Sequence, residues 1–182
     1  MTSFQPKEYE IIPTDTYKVV RNCPGCGVKT AYQSTHKLRV NANGKQLDAW
    51  LIYQCPKCKH PFNLTIHSRI NRNRLSQAEY GALLGNDRDL VYQYGLDRAL
   101  FQKNNAEILN ETAYVIGETG NADVGGVIRL LNPYRLKLRK DKLVAQCLKI
   151  PRAEAIRKLR SGMLSIDQSA GHEIIIQRRC EE

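Results

Sequence analysis

Two short segments, Cys23-Pro-Gly-Cys26 and Cys55-Pro-Lys-Cys58, restrict what this chain can become more than any other part of it. Each puts two thiols on one tight loop, where proline sets the first turn and a flexible residue lets backbone amides point at sulfur. Two such loops brought together make a tetrahedral four-sulfur site, with metal–sulfur distances near about 2.3 Å for zinc. Cys23, Cys26, Cys55 and Cys58 are therefore the expected ligands of one structural Zn²⁺. Four sulfurs leave no open coordination position for water, so Lewis-acid catalysis is not expected there. His60, two places past Cys58, is the one other residue near enough to substitute for a ligand, and His36, His67 and His172 stand alone. Of the six cysteines, Cys147 falls on an apolar stripe and Cys180 in the tail, so neither is a metal candidate.

The surroundings of the knuckles read as strands. Thr35 to Asn41 and Gln46 to Gln54 flank Asn43-Gly44, the pair that favours a primed hairpin turn, and Phe62 to Ile66 supplies a third strand. Tyr17 to Val20 leads into the first knuckle. Strand, knuckle, hairpin, knuckle and strand resemble a zinc ribbon over roughly residues 17–70. A ribbon of that size buries too little apolar surface to stand alone, so metal would replace a core and chelation would unfold it. Trp50 and Tyr53, with Tyr32 and Phe62, lie in or beside these strands near Lys37, Arg39 and Lys45, where rings either pack or stack on bases. The start of the chain has no apolar run after a basic segment, and no window nears eighteen consecutive apolar residues. A cytoplasmic, reducing location without membrane contact is expected, which favours metal over disulfides for the paired cysteines.

Beyond the knuckles the pattern turns helical. Ser76-Gln-Ala-Glu79 is a capping box opening a helix to about Leu84, a second follows Asp87 and ends at Gly95, and Asp97 caps a third to Lys103. Leu83, Leu84, Leu90, Val91, Tyr94, Leu100 and Phe101 are their expected packing positions, and this segment is also the candidate surface for a protein partner. Arg69, Arg72 and Arg74 precede it, as phosphate contacts or as solvated charge. Residues 112–116 and 127–131 are strand-like around a glycine-rich loop that lacks the Lys-Ser/Thr of a phosphate-binding loop.

The last third carries the charge. Between Arg135 and Arg160 lie ten basic residues against two acidic ones, Asp141 and Glu154, a net +8 of the chain's +10. Two amphipathic helices are expected there. One runs to about Leu148, with Leu143, Val144, Cys147 and Leu148 on one side, and the other follows Pro151, with Ala155, Ile156 and Leu159 inward. A sequence pI near 9.4 predicts an acidic partner.

Asp141-Lys142-Leu143, Leu148, Arg152-Ala153-Glu154-Ala155, Leu159, Ser161-Gly162 and Met163-Leu164-Ser165-Ile166 resemble the ribosomal S-four-type RNA-binding domain, the alpha-L motif. That resemblance implies two helices leading into a small hairpin. Pro151 replaces the family's usual Ser or Thr cap, and Asp167-Gln168 replaces its usual Asn-Gly turn. Across nearly the whole chain, Val40-Asn-Ala-Asn-Gly44-Lys45, Trp50-Leu-Ile-Tyr-Gln-Cys55 and Asn63-Leu-Thr-Ile66 resemble an uncharacterised bacterial family, the domain of unknown function numbered ten sixty-two, which implies no activity.

The expected fold is α+β. It has a three-stranded antiparallel zinc ribbon in residues 1–70, short helices and connecting strands in 71–132, and an alpha-L-like basic helix pair with a β-hairpin in 133–182. The expected function is non-catalytic binding of structured RNA, ribosomal or transfer. Phosphates would be met by Arg139, Lys140, Lys142, Arg152, Arg157, Lys158 and Arg160. The alternative is a DNA-binding regulator using the same helices as a helix-turn-helix. An enzyme is not expected, because no nucleophile with a nearby base, open metal site or cofactor loop is evident.

Overall fold

A computed structural model describes residues 7–109, 111–120, 127–168 and 171–178. In chain order they form β1 (Lys7–Pro13), β2 (Val19–Asn22), β3 (Lys29–Asn43), β4 (Gln46–Gln54), β5 (Pro61–Asn71), a 3-10 turn (Arg72–Arg74), α1 (Gln77–Gly85), α2 (Arg88–Gly95) and α3 (Arg98–Lys103). There follow β6 (Glu107–Ile108), β7 (Tyr114–Gly120), β8 (Val127–Leu131), α4 (Lys140–Leu148), α5 (Arg152–Arg160), β9 (Leu164–Asp167) and β10 (Glu173–Arg178). The chain divides into a continuous unit, Asp15–Ala113, and a split unit made of Met1–Thr14 with Tyr114–Glu182.

The continuous unit holds one five-stranded sheet, ordered β5-β4-β3-β2-β6. Strand β4 shows why it is amphipathic: Leu47, Ala49, Leu51 and Tyr53 are buried while Gln46, Asp48, Trp50, Ile52 and Gln54 alternate with them on the other face. Leu64 and Ile66 of β5 and Tyr32 of β3 add to the buried set. The three helices bury Leu83, then Leu90, Val91 and Tyr92, then Leu100 and Phe101. Their starts are fixed by side-chain caps: Ser76 accepts from the Glu79 N–H, Asp87 from Leu90 and Asp97 from Ala99. The Phe101 ring meets Tyr17 and Tyr53 edge-on at 5.9 and 6.2 Å between centroids. Gly95 must stay small, because a Cβ there would sit 2.7 Å from Thr16 Cβ. Leu84, expected inward, is exposed.

The split unit holds the second sheet, ordered β7-β1-β8-β10-β9. Strand β1 pairs antiparallel with β7 and parallel with β8, while β10 is antiparallel to both β8 and β9. Tyr9, Ile11, Ile128, Leu130, Leu164, Ile174 and Ile176 make its buried strand positions. Leu143, Val144 and Cys147 of α4 and Ala155 of α5 are buried with them, whereas Ile156 and Leu159 are half-buried. Buried Asn132 fixes the entry to the helix pair. Its side-chain oxygen accepts from the Leu136 N–H, and its amide donates to the carbonyls of Leu136 and Gly171.

The α+β expectation is therefore corrected: the described residues are mostly β, 43% strand against 27% helical, built on two sheets. The front sheet is not a three-stranded ribbon. Strand β3 spans 15 residues, long enough to pair β2 with its first part and β4 with the rest, and β6 then extends the far edge. The C-terminal hairpin is not a free-standing companion to the helix pair either. Its β10 edge is paired with β8, so the hairpin is part of the five-stranded sheet. Of the glycine-rich loop expected from Gly117 to Gly126, Gly117 to Gly120 belong to β7, while 121–126, together with part of the expected closing turn and Cys180, lie outside the described residues. Among the described residues no helix is long and apolar enough to cross a membrane.

Candidate functional site

The two knuckles are near copies in three dimensions. In the first, the amides of Cys26 and Gly27 donate to the Cys23 carbonyl at 3.2 and 2.8 Å, and the Cys23 amide donates back to Val28. In the second, the Lys59 amide donates to the Cys55 carbonyl and the Cys55 amide to His60, both at 3.0 Å. The residue after each second cysteine is left-handed, Gly27 at φ 69° and Lys59 at φ 63°. Each knuckle begins where a strand ends, β2 at Asn22 and β4 at Gln54, so the sheet sets the spacing of the two loops.

That spacing gathers the four sulfurs within 4.8 Å of one another, and among the described residues they form the one cluster able to hold a metal ion. Cys23 and Cys58 sulfurs are 3.4 Å apart and Cys26 and Cys55 sulfurs 3.7 Å. A tetrahedron with bonds of about 2.3 Å has edges of about 3.8 Å, so little movement closes the cage. Two further observations fit an ion. A Cβ on Gly25 would lie 2.8 Å from Cys58 Sγ, so glycine is what lets the loops approach. The fully buried Tyr32 hydroxyl faces the Cys23 sulfur, to which it would donate once that sulfur is a metal-bound thiolate.

The thiols already share protons unequally. The Cys23 thiol is lowered to about 6, chiefly by the Tyr32 hydroxyl, and Cys55 is lowered by the backbone N–H of Cys58. Cys26 is pushed up to about 12, first by its contact with Cys58 and then by burial. Some sulfurs are thus prepared as thiolates while full deprotonation is opposed by crowding, a conflict that a dication relieves. Cys23 and Cys55 are buried, Cys26 is half-buried and Cys58 is exposed. His60 is exposed and outside the group.

The basic residues of the last third are placed on the α4–α5 pair. Arg139, Lys140, Lys142, Arg152, Arg157 and Arg160 are exposed and Lys158 is half-buried. They are not equally available. Asp141 in the first turn of α4 binds both Arg139, at 3.3 Å, and Arg152 in the first turn of α5, tying the two helix starts together. These guanidinium groups, Arg152 first, hold the Asp141 carboxyl below the usual carboxylate range. Lys158 pairs with Glu154 at 3.5 Å, and the Lys142 ammonium sits 5.0 Å from the centre of the Tyr114 ring. Lys140, Arg157 and Arg160 make no ion pair among the described residues. Pro151 caps α5 without a side-chain hydrogen bond.

Sequence reasoning missed Tyr32 as part of the cysteine site and gave Gly25 only the role of a flexible knuckle residue; the fold brings Tyr32 of β3 beside Cys23 and the second knuckle against Gly25. It also treated His67 as isolated. The ring lies 3.3 Å from Glu79 Oε1, which accepts at 2.8 Å from the Tyr94 hydroxyl, so β5, α1 and α2 are linked by one polar contact set. Burial, with the Glu79 hydrogen bond, raises the Tyr94 hydroxyl well above its ordinary value.

A mostly-β chain with a four-cysteine cluster capable of holding a metal ion is the class that this geometry defines. The family model described as a protein of unknown function, DUF1062, matches residues 40–170, and the chain belongs to that family. No curated protein and no solved structure matches it.

Proposed function

We propose that this chain is a non-catalytic RNA-binding protein in which one Zn²⁺ locks the knuckles and the α4–α5 pair grips a folded RNA. Zinc is the reading of the four-sulfur cage because a closed tetrahedral thiolate site suits an ion with no redox demand; iron is the other metal such a cage accommodates, and it would colour the protein. The observation that carries the RNA reading is the exposure of Lys140, Arg157 and Arg160 on two helices that share a buried seam. Asp141 braces Arg139 and Arg152 without neutralising both, so the corner keeps excess positive charge in fixed geometry. Fixed cations release counterions when a polyanion docks, at little further loss of side-chain freedom.

The test is anisotropy titration of structured RNA across salt, with duplex DNA as competitor and metal analysis of the purified protein. Lys140→Glu with Arg157→Glu should weaken RNA binding and flatten its salt dependence by about two units of log-log slope. Absent or salt-independent affinity for RNA refutes the reading, and preference for duplex DNA favours the regulator instead.

A further inference from the structure

A second cationic site lies in the continuous unit, at the far end of the β3–β4 hairpin. There Lys45, Gln46, Ser68, Arg69, Asn71 and Arg74 line an open cleft of about 440 Å³, within the roughly 300–1,000 Å³ range of small-ligand sites. Its construction is unusual. Four successive residues of β5, Ser68 through Asn71, line this one cleft. The reason is local: the β4–β5 register shifts between Leu47 and Ala49, and Arg69 is left-handed at φ 47°.

A bulky residue in that conformation needs outside support. Asp48 supplies it, its carboxylate accepting from the Arg69 N–H at 2.8 Å. The Arg72 amide donates to the Lys45 carbonyl at 2.9 Å, clamping the hairpin to the 3-10 turn, and Asn71 caps that turn through the Asn73 N–H. Backbone bonds thus hold Lys45, Arg69 and Arg74 around one opening. None of these three, nor Arg72, makes an ion pair among the described residues, and the neighbouring carboxylate of Asp48 is occupied by backbone. Three cationic residues line this opening against the single neighbouring carboxylate of Asp48, an excess of positive charge that suits a phosphate.

The outer face of β4 extends the site. Gln46 at the cleft and Trp50 share that face, separated by roughly 13 Å at about 3.3 Å per residue. Trp50 is half-buried, with the Arg39 guanidinium 6.0 Å from its ring centre and Lys37 exposed further along the same face of β3. We infer that this face binds a single-stranded RNA segment, whose phosphates sit in the cleft of Lys45, Arg69 and Arg74 and whose base stacks on Trp50. This inference concerns a different unit from the α4–α5 pair and stands or falls separately.

Trp50 is the chain's one tryptophan, so its fluorescence reports this face directly. A dodecamer of uridylate titrated into the full chain should quench it, with affinity falling as salt rises. Arg69→Gly with Arg74→Ala keeps the backbone conformation that glycine adopts freely. It should weaken binding at least tenfold and reduce the log-log salt slope by about 1.4, the single-strand value for two phosphate contacts. Circular dichroism and metal content equal to wild type would show that the variant is folded. Lys140→Glu with Arg157→Glu should leave the quenching unchanged. No quenching, quenching that survives Arg69→Gly with Arg74→Ala, or quenching lost instead in the α4–α5 variant each overturns the inference. Equal saturation by inorganic phosphate would also overturn it, showing a small-anion site without a strand.

Discussion

The knuckle glycines give a prediction whose sizes follow from the backbone. Gly25→Ala sets a methyl group 2.8 Å from Cys58 Sγ, roughly 1 Å inside an ordinary contact of about 3.5–4.0 Å. The sulfur cannot retreat without leaving the cage, so an overpacking cost of about 1–3 kcal/mol applies. At about 1.4 kcal/mol per tenfold, zinc affinity should fall by about an order of magnitude. Gly27→Ala is a different case. Gly27 has φ 69° and nothing within 4 Å, so alanine meets only backbone strain of about 1–2 kcal/mol, partly offset by about 0.4–1 kcal/mol from a stiffer unfolded chain. A few-fold loss is expected. Lys59 already holds the equivalent position with a side chain, and Lys59→Gly should bind zinc at least as well as wild type. Chelator-competition titrations of Zn²⁺ on the full chain rank the three variants. If Gly27→Ala lost as much affinity as Gly25→Ala, or Lys59→Gly lost tenfold, the sulfur cage would not be the constraint on these loops.

Three other expectations follow from packing and charge. Gly95→Ala should destabilise by about 1–3 kcal/mol because Thr16 fills the space, whereas Gly81→Ala, inside α1 with nothing within 4 Å, should stabilise by about 0.5–1 kcal/mol; urea unfolding read by Trp50 fluorescence compares them. Asp141, depressed chiefly by Arg152, stabilises the helix pair above its unfolded value near about 3.9 and loses that contribution as pH falls through the lower folded value. Unfolding measured from about pH 7 to pH 3 should show this loss in wild type but not in Asp141→Asn. Burial pushes the Cys147 thiol up to about 12, so iodoacetamide at about pH 8 should alkylate it only after urea unfolding, as peptide mass mapping would show.

Local signals were readable wherever neighbours in sequence settle the outcome. The Ser76, Asp87 and Asp97 caps and the Asn43-Gly44 hairpin mark real boundaries, because each rests on hydrogen bonds spanning a few residues, and the Pro151 break does so because proline fixes its own backbone. The cysteine spacing likewise identified the four sulfurs that now lie together. What failed was sheet membership. The residues before Tyr17 carry no marked pattern, yet β1 lies inside a sheet, since its partners β7 and β8 are chosen by long-range pairing that no local window contains. The same limit hid β6, two residues long, and the joining of the C-terminal hairpin to β8. The cleft at Arg69 depends on a register shift, which alternation alone cannot foretell.

Strand β1 pairs with partners more than a hundred residues further along the chain: Ile11 with Ile116, and Tyr9 with Leu130. During translation the continuous unit can therefore fold, and bring its four cysteines together, while β1 still waits for β7 and β8 to leave the ribosome. A fusion or cleavage within Lys7–Pro13 would then spare the knuckles yet leave the other sheet open at an inner position, with unpaired edges inviting aggregation.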